Sequence, residues 1–230
     1  MMTDDRFRQQ ILAQPPAWAH ELLQPWDAEL LNQKMPFVRR EYWTDQGSVN
    51  VFNVVGTWHA SYENKPWLYL LEHGRRMPHN LDWLARNPGY YTGTELKKPT
   101  MYFATLDGLT FYITDDGNHR TCLARFYFYE RGLTQLHGVT IRQFDVDEAF
   151  WQLYQQIMAL IKQHRLMIYV EPKRELLQRD DTAAWKTDHH QPYLLWHDDH
   201  GTTRLDYEAA LKKQAWLQRY RPSFWRRWFA

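Results

Sequence analysis

Along this chain the apolar residues recur with two spacings, one of two residues and one of three to four, and the switches between them mark out its elements. Asp4–Ala13 predicts a short helix, which Pro15-Pro16 interrupts. Ala17–Leu23 and Asp27–Gln33 read as two short helical turns separated by Pro25. Val49–Val55 alternates and is rich in β-branched residues, which predicts a strand with Trp58–Tyr62 as its partner or continuation. Trp67–Leu71 is a short apolar run, expected as a strand or a buried turn. Leu81–Arg86 predicts a helix with Asn80 as its N-cap, stopped by Asn87-Pro88-Gly89.

Met101–Thr105 and Leu109–Thr114 are β-rich runs around Leu106-Asp107-Gly108, the signal of a hairpin. Thr121–Arg131 predicts a helix that ends at Gly132, and Val139–Asp145 alternates as a strand. Asp147–His164 carries the stripe of an amphipathic helix at Phe150, Leu153, Tyr154, Ile157, Leu160 and Ile161. Met167–Val170 predicts a strand closed by Pro172, and Gln178–Gln191 reads as a loop. Tyr193–Trp196 and Thr203–Tyr207 flank the turn His197–Thr202, and Glu208–Tyr220 predicts a last helix. The expected fold class is therefore α+β, a mixed sheet with surrounding helices.

Composition narrows the function classes. The 230 residues are 44% hydrophobic and 24% charged, which fits a globular chain able to bury its own core. One cysteine, Cys122, excludes an internal disulfide framework and a cysteine-based zinc cluster, and suits a reducing, cytoplasmic setting. Met1–Gln10 is polar and charged, so no secretory signal is expected. No apolar run approaches the roughly 20 residues of a membrane helix. A net charge of +1 lacks the global basic excess of many nucleic-acid binders and leaves room only for a local patch. The 12 Trp, 14 Tyr and 11 Phe predict a core filled with large rings, or else a stacking surface for bases or a partner.

The chemistry concentrates at Asp115-Asp116-Gly117-Asn118-His119-Arg120, where a strand turns into a helix. Gly117 permits strained backbone angles and close approach of a ligand. The opening turn of the helix offers N–H groups and partial positive charge, which together favour an anion. Arg120 adds a planar donor fork suited to phosphate, and His119 can donate a hydrogen bond or move a proton near neutral pH. Asp115 and Asp116 are candidate metal ligands or bases. Asp-Gly-Asn alone would be a capped turn with Asp116 as N-cap. The adjoining His119-Arg120 pair shifts the reading, because a turn needs neither residue and a phosphate site uses both.

Ile113–Arg125 (ITDDGNHRTCLAR) resembles the central motif of the ParB/sulfiredoxin superfamily, a strand, a Gly-x-His-Arg type turn and a helix with small residues on its packed face. The resemblance covers roughly Met101–Asp145. It implies a ParB/sulfiredoxin-like core over residues 66–175, with an extension at 1–65 and a hairpin, helix and aromatic-basic tail at 176–230. It further implies that Gly117 and Asn118 cradle nucleotide phosphates, that His119 and Arg120 contact them, and that Thr121 adds a hydroxyl. Asp116, His119 and Arg120 are the catalytic candidates, with Asp116 also the ligand of Mg²⁺. Asn118 stands where sulfiredoxin has its reactive cysteine, so sulfinic-acid repair is not expected. No helix-turn-helix follows, which separates the chain from chromosome-partition proteins.

What remains is similar to the plasmid-borne fertility-inhibition factors of the Osa type. That likeness implies a nucleotide partner, ATP hydrolysis and nuclease activity on DNA at one cleft, and interference with a type IV secretion component. Two other functions stay open, a non-catalytic inhibitor or adaptor that uses the phosphate site as a switch, and a small-molecule kinase of the free-serine type.

Four secondary candidates complete the reading. His189-His190 with His197, Asp198, Asp199 and His200 is a mix that can bind divalent metals, although exposed Asp and His are ordinary in a hairpin turn. Arg39-Arg40, Arg75-Arg76, Lys97-Lys98 and Lys212-Lys213 are basic pairs that would guide a nucleic-acid backbone if they line one cleft with Arg120, with Trp83, Tyr90 and Tyr91 as stacking rings. Glu72 and Glu95 are upstream acids to which no role is assigned. The tail Phe224–Phe229 suits docking on its own domain or on a partner, or weak contact with a membrane surface.

Overall fold

The computed structural model describes residues 4–221. In chain order the elements are α1 (Asp4–Ala13), β1 (Gln24–Pro25), α2 (Ala28–Lys34), β2 (Val38–Asn50), β3 (Val54–Thr57), α3 (Trp67–His73), α4 (Met77–Arg86) and α5 (Gly89–Thr92). They continue with β4 (Tyr102–Thr105), β5 (Phe111–Ile113), α6 (Asn118–Tyr129), β6 (Gln135–Val146), α7 (Glu148–His164), β7 (Tyr169–Asp181), β8 (Trp185–Asp198), β9 (Gly201–Leu205) and α8 (Tyr207–Arg219). The fold is α+β with a mixed sheet, as the alternating patterns predict. The tail Phe224–Phe229 lies outside the described residues.

The described chain divides into two compact units, one of residues 4–28, 42–144 and 180–187, the other of 29–41, 145–179 and 188–221. The sequence reading divides the chain into contiguous segments, whereas these units are interleaved because long strands pass from one into the other.

In the first unit the strand order is β1-β3-β5-β4-β6-β2. β1, β3 and β5 run parallel, β4 is antiparallel to β5, and β4 is parallel to β6. The β4–β5 hairpin forms where the Asp-Gly turn predicts it. Asp107 Oδ1 accepts from the N–H of Leu109 and of Thr110, each at 2.8 Å. α6 is buried along nearly its whole length, which explains why its sequence shows no clean apolar stripe. Its Leu123, Phe126 and Phe128 pack in one core with Trp67, Leu70 and Leu71 of α3 and with Phe103 and Ile113 of the sheet. Arg125 is carried into that core by two indoles. Its guanidinium lies 4.6 Å from the rings of Trp18 and Trp67 and donates to the Val54 carbonyl at 2.7 Å.

The second unit packs α7 and α8 around Phe37, Phe150, Leu153, Ile157, Leu194 and Trp196. The side chains of Asp147 and Asp206 cap the two helices by accepting from Phe150 N (3.0 Å) and Ala209 N (2.8 Å). The β8–β9 hairpin pairs Leu194 with Leu205, in line with the predicted turn at 197–202.

Several local expectations are corrected. Trp67–Leu71 is helical, since Trp67, Leu70 and Leu71 stand at i, i+3 and i+4 and all three are buried. Each such burial stabilises by about 1.5–3 kcal/mol. Asn80 lies inside α4 and donates from Nδ2 to the Arg76 carbonyl at 2.7 Å, so it is not the cap. Trp58–Tyr62 is turn, not strand, and the strand signal at 49–55 splits at a 3₁₀ turn, Val51–Asn53. Helix α6 opens at Asn118, three residues before the predicted start. Pro172 does not close its strand, and 178–191 is mostly strand, because β7 is last in the sheet order and an edge tolerates proline.

Candidate functional site

Strands β3 and β5 are parallel neighbours, with Thr57 opposite Ile113, so both deliver their carboxyl ends to one place. The turn Thr114–Gly117 leaves β5 there and enters α6. Two hydrogen bonds pin it to the start of β4. Tyr102 N donates to the Asp116 carbonyl at 3.0 Å, and Thr114 N donates to the Tyr102 carbonyl at 2.9 Å. Gly117 has φ +125°, and a Cβ on it would lie 2.9 Å from Met101 Cγ, so both backbone angle and space demand glycine.

The six motif residues separate into distinct roles. Asp116 accepts from Gly117 N through Oδ1 (2.7 Å) and from Arg120 Nη2 through Oδ2 (2.6 Å). Arg120 Nη1 also donates to the Pro99 carbonyl (2.5 Å) and to Tyr90 Oη (2.9 Å). The guanidinium therefore clamps the turn to the Pro99 segment, and Arg120 is nearly fully buried. Asn118 is also buried, with Oδ1 accepting from the hydroxyl of Thr57 at 2.8 Å. Thr121 is fully buried and its hydroxyl faces Met101 Sδ at 3.8 Å, so the structure does not bring it to the cavity. Asp115 is exposed within the turn.

His119 is the motif residue that faces a neighbour across the cavity. Its Nε2 lies 3.1 Å from Tyr62 Oη, and the Tyr62 ring stands edge-on to the imidazole with His59 stacked beyond. Gly74 makes room for it, since a Cβ there would lie 2.6 Å from His119 Cδ2. Burial, and then the neighbouring Arg76, hold its pKa below the usual 6.5 against an opposing pull from Asp116. The shift favours the neutral imidazole, and with the proton on Nδ1 its Nε2 accepts from Tyr62 Oη, with Arg76 N at 3.5 Å on the same atom.

Two cavities meet over this turn. One of about 380 Å³ is lined by His59, Tyr62, Arg75, Arg76, Asp115 and Asn118 among others, and one of about 160 Å³ by His79, Asn80, Trp83, Pro99, Gly117 and Arg120. Arg76, Asp116 and His119 belong to both. Of the four basic pairs, only Arg75-Arg76 lines these walls. Lys97 is buried against the Gly93 carbonyl (2.6 Å), while Arg39-Arg40 and Lys212-Lys213 belong to the other unit. Tyr90 stacks on Trp83 at 4.5 Å, and Trp83 alone of the named rings lines the cavity. His59, Tyr62 and His79 were not legible as site residues, because nothing in their local sequence distinguishes them from surface residues. Glu72 and Glu95 are absent from both linings.

Each Asp116 oxygen accepts one hydrogen bond within the turn and keeps a further lone pair, and the carboxylate is half exposed in the cavity, so it can still serve as a single ligand of Mg²⁺. Among the described residues no group of three or more His, Cys, Asp or Glu stands together to hold a metal ion, the histidine-rich 189–200 stretch included. There Asp198 accepts from Trp196 Nε1 (2.8 Å) and His200 N (3.0 Å). Cys122 is fully buried with its thiol pushed well above its ordinary pKa by burial, so it is a packing residue. No protein-family model, curated protein or solved structure matches the chain. Among the described residues no helix is long and apolar enough to cross a membrane.

Proposed function

We propose that the chain binds the phosphates of a nucleotide at the opening turn of α6. The observation that carries this reading is the meeting of the two cavities at Arg76, His119 and Asp116, directly over a helix N-terminus that no side chain caps. In it Arg75 and Arg76 supply the phosphate charges' partners, and Trp83 offers a ring for the base. Arg120 acts through the turn, holding Gly117 and Asn118 in place. ATP is the nucleotide that the ParB/sulfiredoxin resemblance of Ile113–Arg125 points to, and competition between plasmids is the setting it suggests.

The closed Asp116–Arg120 pair favours a second reading of the same site, in which nucleotide is bound without turnover and switches a protein-binding inhibitor or adaptor. For hydrolysis Asp115, exposed in the same turn, is a second carboxylate at hand beside Asp116.

Calorimetric titration with ATP, ADP and CTP tests the binding, beside Arg75→Ala/Arg76→Ala. Saturable binding by the wild type and its loss in a folded double variant are expected. Release of phosphate from ATP separates enzyme from switch. Equal binding by wild type and double variant would remove the site from this turn.

A further inference from the structure

We propose that β7 is a dimerisation edge, pairing antiparallel with β7 of a second copy of the chain about a two-fold axis through Leu177. Among the described residues β7 ends the sheet order, with β8 as its strand neighbour on one side. It is thirteen residues long, and from Glu175 to Arg179 every residue is exposed, so both faces of the strand are open there. Consecutive leucines sit in that stretch, Leu176 at 52% and Leu177 at 61% exposure. A long edge with exposed apolar residues on both faces is a template for another strand.

The order of charges says which strand. From Lys173 to Asp181 the sequence reads Lys-Arg-Glu-Leu-Leu-Gln-Arg-Asp-Asp, and its signs invert about Leu177. An antiparallel copy centred on Leu177 sets Lys173 opposite Asp181, Arg174 opposite Asp180 and Glu175 opposite Arg179, each twice by symmetry. Leu177 meets its own copy, and Leu176 meets Gln178. Parallel pairing in register would instead stack every charge on its like. Charges on an edge ordinarily deter association, and here they select one partner and one register. Pro172, which cannot donate to a ladder, falls just outside the paired segment.

The internal partners of these side chains do not oppose this. Lys173 bonds Glu171 (2.5 Å), Arg174 bonds Glu41 (3.5 Å), Glu175 bonds Arg204 (2.7 Å), Arg179 bonds Asp188 (2.5 Å) and Asp181 bonds Lys186 (3.1 Å). All but Arg174 remain about half exposed, and carboxylates and guanidinium groups each keep further acceptor or donor positions.

Sedimentation of the full-length protein tests the proposal, with Glu175→Arg and Arg179→Glu prepared separately and then mixed. The wild type is expected to dimerise in the micromolar range. Each single variant is expected to dimerise about tenfold more weakly, because it sets like charges across the axis twice. An equimolar mixture of the two is expected to recover a heterodimer. Positions 175 and 179 are then both basic on one chain and both acidic on the other, so each meets its opposite across the axis. Misfolding could not produce that recovery. A monomeric wild type, unchanged dimerisation in both variants, or a mixture no stronger than its components would each overturn the assignment.

Discussion

Asp116 and Arg120 stand one helical turn apart, and Oδ2 of the first accepts from Nη2 of the second at 2.6 Å. The carboxylate is half exposed at the cavity, whereas the guanidinium is almost wholly inside the protein. The pair is thus a strut with one end at the cavity. Arg120 directs its Nη1 at the Pro99 carbonyl and Tyr90 Oη.

Removing the buried end is expected to cost stability before it costs binding. Arg120→Ala strips three charge-assisted hydrogen bonds and should destabilise by about 2–4 kcal/mol. Arg120→Lys keeps the charge without the fork, and a smaller loss of about 1–2 kcal/mol is expected. Urea denaturation measures both. A neutral Arg120→Ala would show that the clamp does not hold the turn.

Gly117→Ala tests the turn itself. A residue with a Cβ at φ +125° is strained, and this Cβ would press on Met101. A loss of about 1–3 kcal/mol is expected in the same denaturation experiment.

Arg75→Ala and Arg76→Ala should separate the other way. Both side chains line the cavity, and neither is among the buried polar residues of the core. Stability should move by no more than about 0.5 kcal/mol, while nucleotide affinity falls. Thermal melts with and without ATP read the two effects together.

His119 gives a dependence on pH with a fixed sign. Its folded-state pKa lies below the usual 6.5, so the folded protein binds fewer protons there than the unfolded chain. The stability it contributes is present above pH 6.5 and diminishes as pH falls toward the folded-state pKa. A bound phosphate favours the protonated ring, so affinity should rise as pH falls from about 7 to about 6, and one proton sets the ceiling at about tenfold per pH unit. Calorimetry in buffers of different ionisation enthalpy should report proton uptake, and His119→Asn should abolish it.

The turn and its helix were legible because their causes are local. Asp107-Gly108 makes a hairpin and Gly117 a left-handed entry wherever they occur. The same locality kept other features hidden. Trp67–Leu71 fits a strand or a helix equally well over so short a run, and only burial of Trp67, Leu70 and Leu71 on one side decides. β2 and β7 carry charged residues at many exposed positions, so neither shows the apolar alternation that marks a half-buried strand. The walls of the cavity come from His59, Arg75, Arg76, His79 and Trp83, which meet the motif only through the fold. Arg120 carries the sharpest lesson. Its position suggests a fork for phosphate, whereas its burial, with the guanidinium turned to the Pro99 carbonyl, Tyr90 and Asp116, depends on residues distant in sequence.

Amide chemical-shift mapping on the isotope-labelled protein tests the central claim most directly, with ATP added stepwise. The expected result is a set of saturable shifts centred on Gly117, Asn118 and His119 and extending to Arg75 and Arg76. Shifts confined to other parts of the chain, or none at saturating ATP, would contradict a nucleotide site at the opening of α6.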